Sequence, residues 1–205
     1  TVQIGNQIWM AENLKYLPEV NQGGDPFFEP YYRVYGYEGT SVAEAKANPN
    51  YNTYGVLYNW VAAMAGATSS TANPSGVQGI CPAGWHLPSD AEWIQLTDYL
   101  GENAGGKLKE TGTTHWADPN TDATNESGFT ALPGGACTFG DIPNFIGEMG
   151  YWWTATDGGS HGAISRYLFS DNGGISNVLE EKSFGLSVRC VKNASDDWSS
   201  LNNTP

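Results

Sequence analysis

Thirteen consecutive residues constrain this chain more than any other stretch. Cys81-Pro82-Ala83-Gly84-Trp85-His86-Leu87-Pro88-Ser89-Asp90-Ala91-Glu92-Trp93 put a cysteine, two tryptophans, turn residues and a helix start in one run. Ser89 followed three residues later by Glu92 is a capping box, in which each residue satisfies an orphan backbone N–H of the other, so a helix starts near Asp90. Trp93, Leu96 and Leu100 then recur at helical spacing with Tyr99 beside them, and Gly101 provides the stop. Pro82 and Gly84 force a turn that holds Cys81 just upstream of this one-faced helix.

A chain of 205 residues builds one substantial core rather than two full domains. Its 26 Gly and 11 Pro alongside 8 Trp, 11 Tyr and 7 Phe imply many turns tied down by large aromatic surfaces. That composition favours an irregular fold with β content over a helical bundle. Twenty-two acidic against 9 basic residues give a net charge of −13 with no basic stripe, so nucleic acid is excluded as a partner. No apolar run approaches the roughly 20 residues needed to span a bilayer, and no membrane insertion is expected. A start at Thr1 without an initiator Met suggests a processed chain, so the lack of a charged-then-apolar leader there leaves export open.

Cys81, Cys137 and Cys190 are the cysteines, and none stands at zinc-ligand spacing from His86, His115 or His161. One disulfide plus one thiol is the natural arithmetic. A Cys81–Cys190 bridge would restrict the unfolded chain by about 4–5 kcal/mol and would imply an oxidising compartment. Three buried reduced thiols are the alternative.

Along the chain, Gly5-Asn6 between two short β-like runs predicts a hairpin. Ser41 to Ala47 reads as a short helix ended by Asn48-Pro49, and Tyr54 to Trp60 as extended chain leading into a helix at Val61. Leu108 is expected to be buried and Trp116 to close a turn. Asp118, Asn120, Asp122, Asn125 and Glu126 set five oxygen-bearing side chains within nine residues, donors of the kind calcium takes. The spacing is not that of an EF-hand, and a solvated Asx-turn loop in an acidic protein is the simpler reading. Gly128 to Gly135 reads as a short strand running into a turn. In Gly150 to Thr156, alternation places Trp152 and Trp153 on opposite faces, one in the core and the other nearer the surface. The last third reads as a β-meander: Ala163 to Phe169, Ile175 to Leu179 and Phe184 to Val191. A polar tail follows over 193–205, in which Trp198 is positioned to dock.

The motifs "VQIGNQIWMAENL", "YGVLYNW", "GICPAGWHLPSDAEWIQL", "ATNESGFTALPGG", "GYWWTAT" and "FGLSVRCVK" occur in the order seen in the Fibrobacter succinogenes major paralogous domain, which residues 1–192 resemble. The resemblance implies a single α+β domain, C-type lectin-like and related to the formylglycine-generating-enzyme fold. It is expected to be irregular and loop-rich, with small antiparallel sheets and two main helices. It also implies an extracellular or bacterial cell-surface setting.

Enzyme activity does not carry over. The formylglycine-generating enzymes bind copper through a cysteine pair near the C-terminal region, and no second cysteine accompanies Cys190 there. An oxidase would need copper or another redox metal at Cys137 or Cys190. No catalytic residue set and no cofactor is expected, a structural calcium aside.

In this fold class, ligands are met by loops and late strands over a rigid base. Here that is 157–166 and 169–179, where Asp, Asn, Ser, His and Gly mix with Phe and Ile. Trp153, His161, Arg166 and Phe169 are the expected anchors, and Asp157, Ser160, Asp171, Asn172 and Asn177 the polar contacts. The expected function is an exported, non-enzymatic binding or adhesion module for a surface glycan or protein. The runner-up is a variable receptor, diversified by a retroelement, that binds protein through the same patch.

Overall fold

The computed structural model describes residues 1–21, 24–138 and 142–194. Gly5, at φ +58°, closes the expected hairpin between β1 (Val2–Ile4) and β2 (Gln7–Trp9). After β3 (Tyr32–Arg33), Ser41 caps α1 (Val42–Ala47). The Asn48-Pro49 stop is also a start. The Asn48 side chain accepts the Asn50 N–H at 2.9 Å and Pro49 takes the first position of α2 (Pro49–Tyr54), where a missing N–H costs nothing. β4 (Leu57–Tyr58) then leads into α3 (Trp60–Met64), capped by Asn59.

β5 (Trp85–His86) precedes α4 (Asp90–Leu100), where the capping box forms: Ser89 Oγ accepts the Glu92 N–H at 3.3 Å and Glu92 Oε2 accepts the Ser89 N–H at 2.9 Å. α5 (Ala104–Leu108) follows, then the hairpin β6 (Ala136–Thr138) and β7 (Ile142–Asn144). The chain closes with β8 (Met149–Asp157), β9 (Gly162–Phe169), β10 (Ser176–Glu181) and β11 (Val191–Lys192). The fold is mixed α+β with small antiparallel sheets, as expected. Five helices are formed among the described residues where two main ones were anticipated, and α4 alone exceeds six residues.

β11 returns to the N-terminal hairpin, giving a sheet ordered β1-β2-β11-β5, while β8, β9 and β10 form a meander ordered β10-β9-β8. Cys81 and Cys190 are joined across 109 residues, next to the Val191–His86 pairing of β11 with β5. On the chain-entropy account a loop of that size contributes about 4–5 kcal/mol.

Two apolar clusters flank β8. One gathers Tyr58, Leu87, Trp153, Leu186 and Cys190; the other gathers Trp9, Trp93, Phe129 and Trp152, with Trp9 and Trp93 ring centroids 4.7 Å apart. Trp152 and Trp153 therefore do point to opposite faces, but both faces are covered and both rings are fully buried. The expectation that one lies near the surface is overturned, because alternation assigns faces without saying whether each is packed.

Arg189 enters the second cluster with its guanidinium 4.0 Å from the Phe129 ring. It donates to the Phe129 carbonyl and to Asn13 Oδ1, and burial pushes its pKa down to about 9. Asn13 Oδ1 also accepts the Trp152 indole N–H at 2.8 Å.

Two other expectations fail. Gly128 to Gly135 forms no strand, only isolated bridges at Ala131 and Gly135. Phe184 to Val191 does not extend the meander; it runs between elements, bridging Leu186 to Tyr58, Gly185 to Cys137 and Ser187 to Trp152. Trp198 and the tail from 195 lie outside the described residues.

Candidate ligand-binding face

Asn59 organises one surface from beneath. It is 1% exposed, and its Oδ1 accepts the Ala62 N–H at 2.9 Å, capping α3, and the Tyr31 N–H at 2.8 Å. Its Nδ2 donates to the carbonyls of Pro26 and Glu29, both at 2.7 Å. One buried amide thus pins the 25–31 loop over the start of α3, every donor and acceptor being satisfied. Phe27 then meets His161 edge-on, centroids 6.0 Å apart, while Phe28 projects outward at 81% exposure.

His161 lies in the turn between β8 and β9, with Ser160 Oγ 3.0 Å from its Nδ1. Asp157 accepts the Gly159 N–H at 3.0 Å and pairs with Lys182 at 2.8 Å. Lys182 also donates to the Gly159 carbonyl at 2.8 Å and stands 4.6 Å from the centroid of the Trp60 ring. Burial acts to raise the Asp157 carboxyl, but the Lys182 ammonium and the Gly159 N–H outweigh it and hold the pKa below its usual value. Trp60 is fixed by its indole N–H, which donates to the Thr154 carbonyl at 2.9 Å. The result is a turn with Phe27 against His161, Trp60 beneath Lys182 and Phe28 exposed on the adjoining loop, with a carboxylate and an ammonium at its base.

Of the predicted residues, Asp157, Ser160 and His161 meet here. Trp153 does not: it is fully buried and donates to the Tyr58 carbonyl at 2.7 Å, so it cannot touch a ligand. Arg166 is also corrected to scaffold, because it is buried and its guanidinium pairs with Asp90 at 2.6 Å, tying β9 to the first residue of α4. Phe169 is half-buried opposite Met149, and Asn177 is exposed on β10 opposite Arg166.

Asp171 and Asn172 sit in the turn beyond the far end of β9, which over eight residues is about 25 Å long. There a fully buried Lys109 donates to the carbonyls of Phe169 at 3.1 Å and Asn172 at 3.0 Å, with Trp116 5.4 Å away. Burial pushes its pKa down to about 8 against the opposing pull of Asp122 and Asp171.

The adjoining acidic loop is shaped by backbone demands. Asn120, Asp122 and Asn125 all adopt positive φ, a conformation Asn and Asp tolerate best among residues with side chains. Asn125 bonds the Thr130 N–H and hydroxyl, Glu126 lies 3.3 Å from Lys107, and Asn120 donates to the carbonyls of Glu110 and Gly112. Asn120 Oδ1 is buried and has no hydrogen-bond partner among the described residues. Among the described residues no three His, Cys, Asp or Glu side chains form a group that would hold a metal ion.

The Fibrobacter succinogenes major domain family matches residues 2–192. The chain belongs to that family. No curated protein and no solved structure gives a significant match. Within this Fibrobacter succinogenes major domain, Phe27, Phe28, Trp60 and Lys182 join the face although the sequence did not single them out. One signal was available: Phe27-Phe28 follow Asp25-Pro26 in a Gly- and Pro-rich stretch, and two adjacent aromatics in a loop rarely both find a core.

Proposed function

We propose that this domain is a non-enzymatic binding module, exported or held at a bacterial cell surface, that recognises a glycan at the face formed by Phe27, Phe28, Trp60 and the 157–161 turn. The observation that carries the reading is Phe28, 81% exposed on a loop that buried Asn59 holds rigid beside His161. An apolar ring kept in water by the fold costs solvation free energy that a partner recovers. The C–H face of a sugar ring matches it, while Ser160, Asp157 and Lys182 supply hydrogen bonds to hydroxyls.

The disulfide supports an oxidising setting. A C-type lectin-like architecture, kin to the formylglycine-generating enzymes, is the finer fold reading proposed here: a sheet and helix base with recognition in the late loops. The buried titratable groups support a binding role rather than catalysis, because their hydrogen bonds are spent on structure. His86 lies between Glu92 at 2.6 Å and Asn193 at 2.7 Å, and Glu92 also accepts the Ser75 and Ser89 N–H groups.

A glycan and protein-ligand array probed with the wild type and with Phe28→Ala tests this. Glycan binding that falls with Phe28→Ala is expected. Glycan binding insensitive to Phe28, or hits confined to protein ligands, would overturn it.

A further inference from the structure

The last strand of the meander has one free side. β10 lies at the edge of the sheet ordered β10-β9-β8 and pairs with β9 in an unbroken antiparallel register from Ser176 to Glu181. Alternation decides which of its backbone groups face outward. Lys182, in line with β10, donates its N–H to the His161 carbonyl at 2.9 Å, so Glu180, Val178 and Ser176 also turn their backbone groups toward β9. The Gly162 and Ile164 carbonyls fix the same phase from the other strand. They turn away from β10, accepting from the Gly158 N–H at 3.0 Å and from the Thr154 hydroxyl at 2.7 Å. Asn177, Leu179 and Glu181 therefore point outward. The Glu181 carbonyl accepts the Phe184 N–H at 2.9 Å, whereas the Glu181 N–H and both backbone groups of Asn177 and Leu179 have no partner among the described residues.

Such an edge invites any extended chain, and proteins blunt it with proline, a bulge or a charge. β10 has neither proline nor bulge. It has Glu180. That side chain is half-buried on the sheet face it shares with Ala163 opposite, and burial together with the charge of Glu181 pushes its carboxyl up. All 9 lysines and arginines are among the described residues and none pairs with it; Lys182, two residues on, is bonded to Asp157. An added antiparallel strand would set one residue opposite Glu180 at a non-hydrogen-bonded position, where cross-strand side chains come closest. A neutral residue there would finish burying an unpaired carboxylate, which is costly. The same charge that turns such chains away would be met by a lysine or arginine. A second copy of β10 is among those turned away, because its Ser, Asn, Val, Leu and Glu include no cation. Leu179, 55% exposed and seated against Gly158 and Gly162, gives the added strand an apolar neighbour on the opposite face.

We propose that the free edge of β10 receives an extended segment of a partner protein as an added antiparallel strand, selected by a lysine or arginine opposite Glu180 among β-branched residues. This edge uses none of the residues of the Phe28 face and stands whether or not that face binds a glycan.

The probe is the acetylated and amidated hexapeptide TKVVTT, whose lysine falls opposite Glu180 and whose first valine falls opposite Leu179. Titrated into isotopically labelled protein, it is expected to shift the amides of 176–181 saturably and to slow exchange at the Asn177 and Leu179 amides. Glutamate in place of the peptide's lysine, and Glu180→Gln in the protein, are each expected to weaken binding about tenfold or more. Methylating the nitrogen of the first valine removes the N–H aimed at the Leu179 carbonyl and is expected to abolish the slowed exchange. Phe28→Ala should leave every result unchanged. Glu180→Gln keeps the size of the side chain, and an unchanged near-ultraviolet dichroism spectrum confirms folding. The proposal is overturned if the amides of 176–181 do not shift, if the glutamate peptide binds equally, or if the methylated peptide protects the same amides. Shifts scattered over other acidic surfaces would show attraction by net charge alone and would overturn it too.

Discussion

The two ends of β9 are written in the same sequence vocabulary and have opposite fates. At one end Asp157-Gly158-Gly159-Ser160-His161, and at the other Asp171-Asn172-Gly173-Gly174, are polar, Gly-rich turns. Beneath the second lies Lys109, whose buried ammonium binds two of its carbonyls and ties it to the interior. Beside the first, Lys182 bonds Asp157 and Gly159 near the surface, with Trp60 against Lys182 and Phe27 against His161. Turn composition therefore does not mark a recognition site. What distinguishes the ends is whether the lysine beneath is buried as a structural strut or shared with an aromatic ring beside an open turn.

Both ends hang from one scaffold, so the largest effect should fall on them together. Replacing Cys81 and Cys190 by Ser is expected to lower stability by about 4–5 kcal/mol, read from urea unfolding, with amide exchange accelerated at both turns. Acceleration at one end alone would mean that the staple serves only half the molecule.

Lys109→Met should separate the ends. It leaves the Phe169 and Asn172 carbonyls without a donor, at a cost of about 2–4 kcal/mol, and should speed amide exchange across 169–175 while sparing 157–162. Equal acceleration of both segments would break the comparison.

The same lysine sets a pH dependence. Its folded pKa of about 8 lies below the ordinary lysine value of 10.5, so between these values the unfolded chain holds more protons and stability rises with pH. The gain is bounded at about 1.4 kcal/mol per pH unit. Above pH 9 the Arg189 guanidinium, pushed down to about 9 by burial, adds a rise of the same sign, and above pH 10 the Tyr151 hydroxyl, pushed up to about 12, opposes it because the folded state then keeps the proton longer. Denaturant midpoints from pH 8 to 10 should climb in the wild type and climb less in Lys109→Met. Identical profiles would show that Lys109 is not the group responsible.

The smallest stability effect belongs to the open end. Phe28→Ala should change stability by less than about 0.5 kcal/mol, since its ring is 81% exposed, while weakening ligand binding about tenfold. A large loss of stability would make Phe28 part of the scaffold and dissolve the distinction.

Local chemistry was legible in the sequence. Ser89 with Glu92, Gly5 with Asn6, and Ser41 ahead of α1 each act within a few residues, and each formed. Arithmetic on three cysteines predicts one bridge without saying which two pair, and the expected Cys81–Cys190 bridge forms where β5 pairs with β11. What stayed hidden depends on distant segments. Trp153 reads as an anchor until Tyr58, 95 residues away, accepts its indole N–H. Arg166 reads as a contact until Asp90, 76 residues away, claims its charge. Phe28 passes unremarked in the sequence, and only Asn59, 31 residues on, fixes its loop beside His161.

The central claim is that, of the two ends of β9, recognition belongs to the β8–β9 end. Calorimetric titration of the strongest array ligand against two double variants tests it most directly: Ser160→Ala with His161→Ala, and Asp171→Ala with Asn172→Ala. The first should weaken binding about tenfold or more and the second leave it within about twofold. Weakening by the second with the first unaffected would contradict the account.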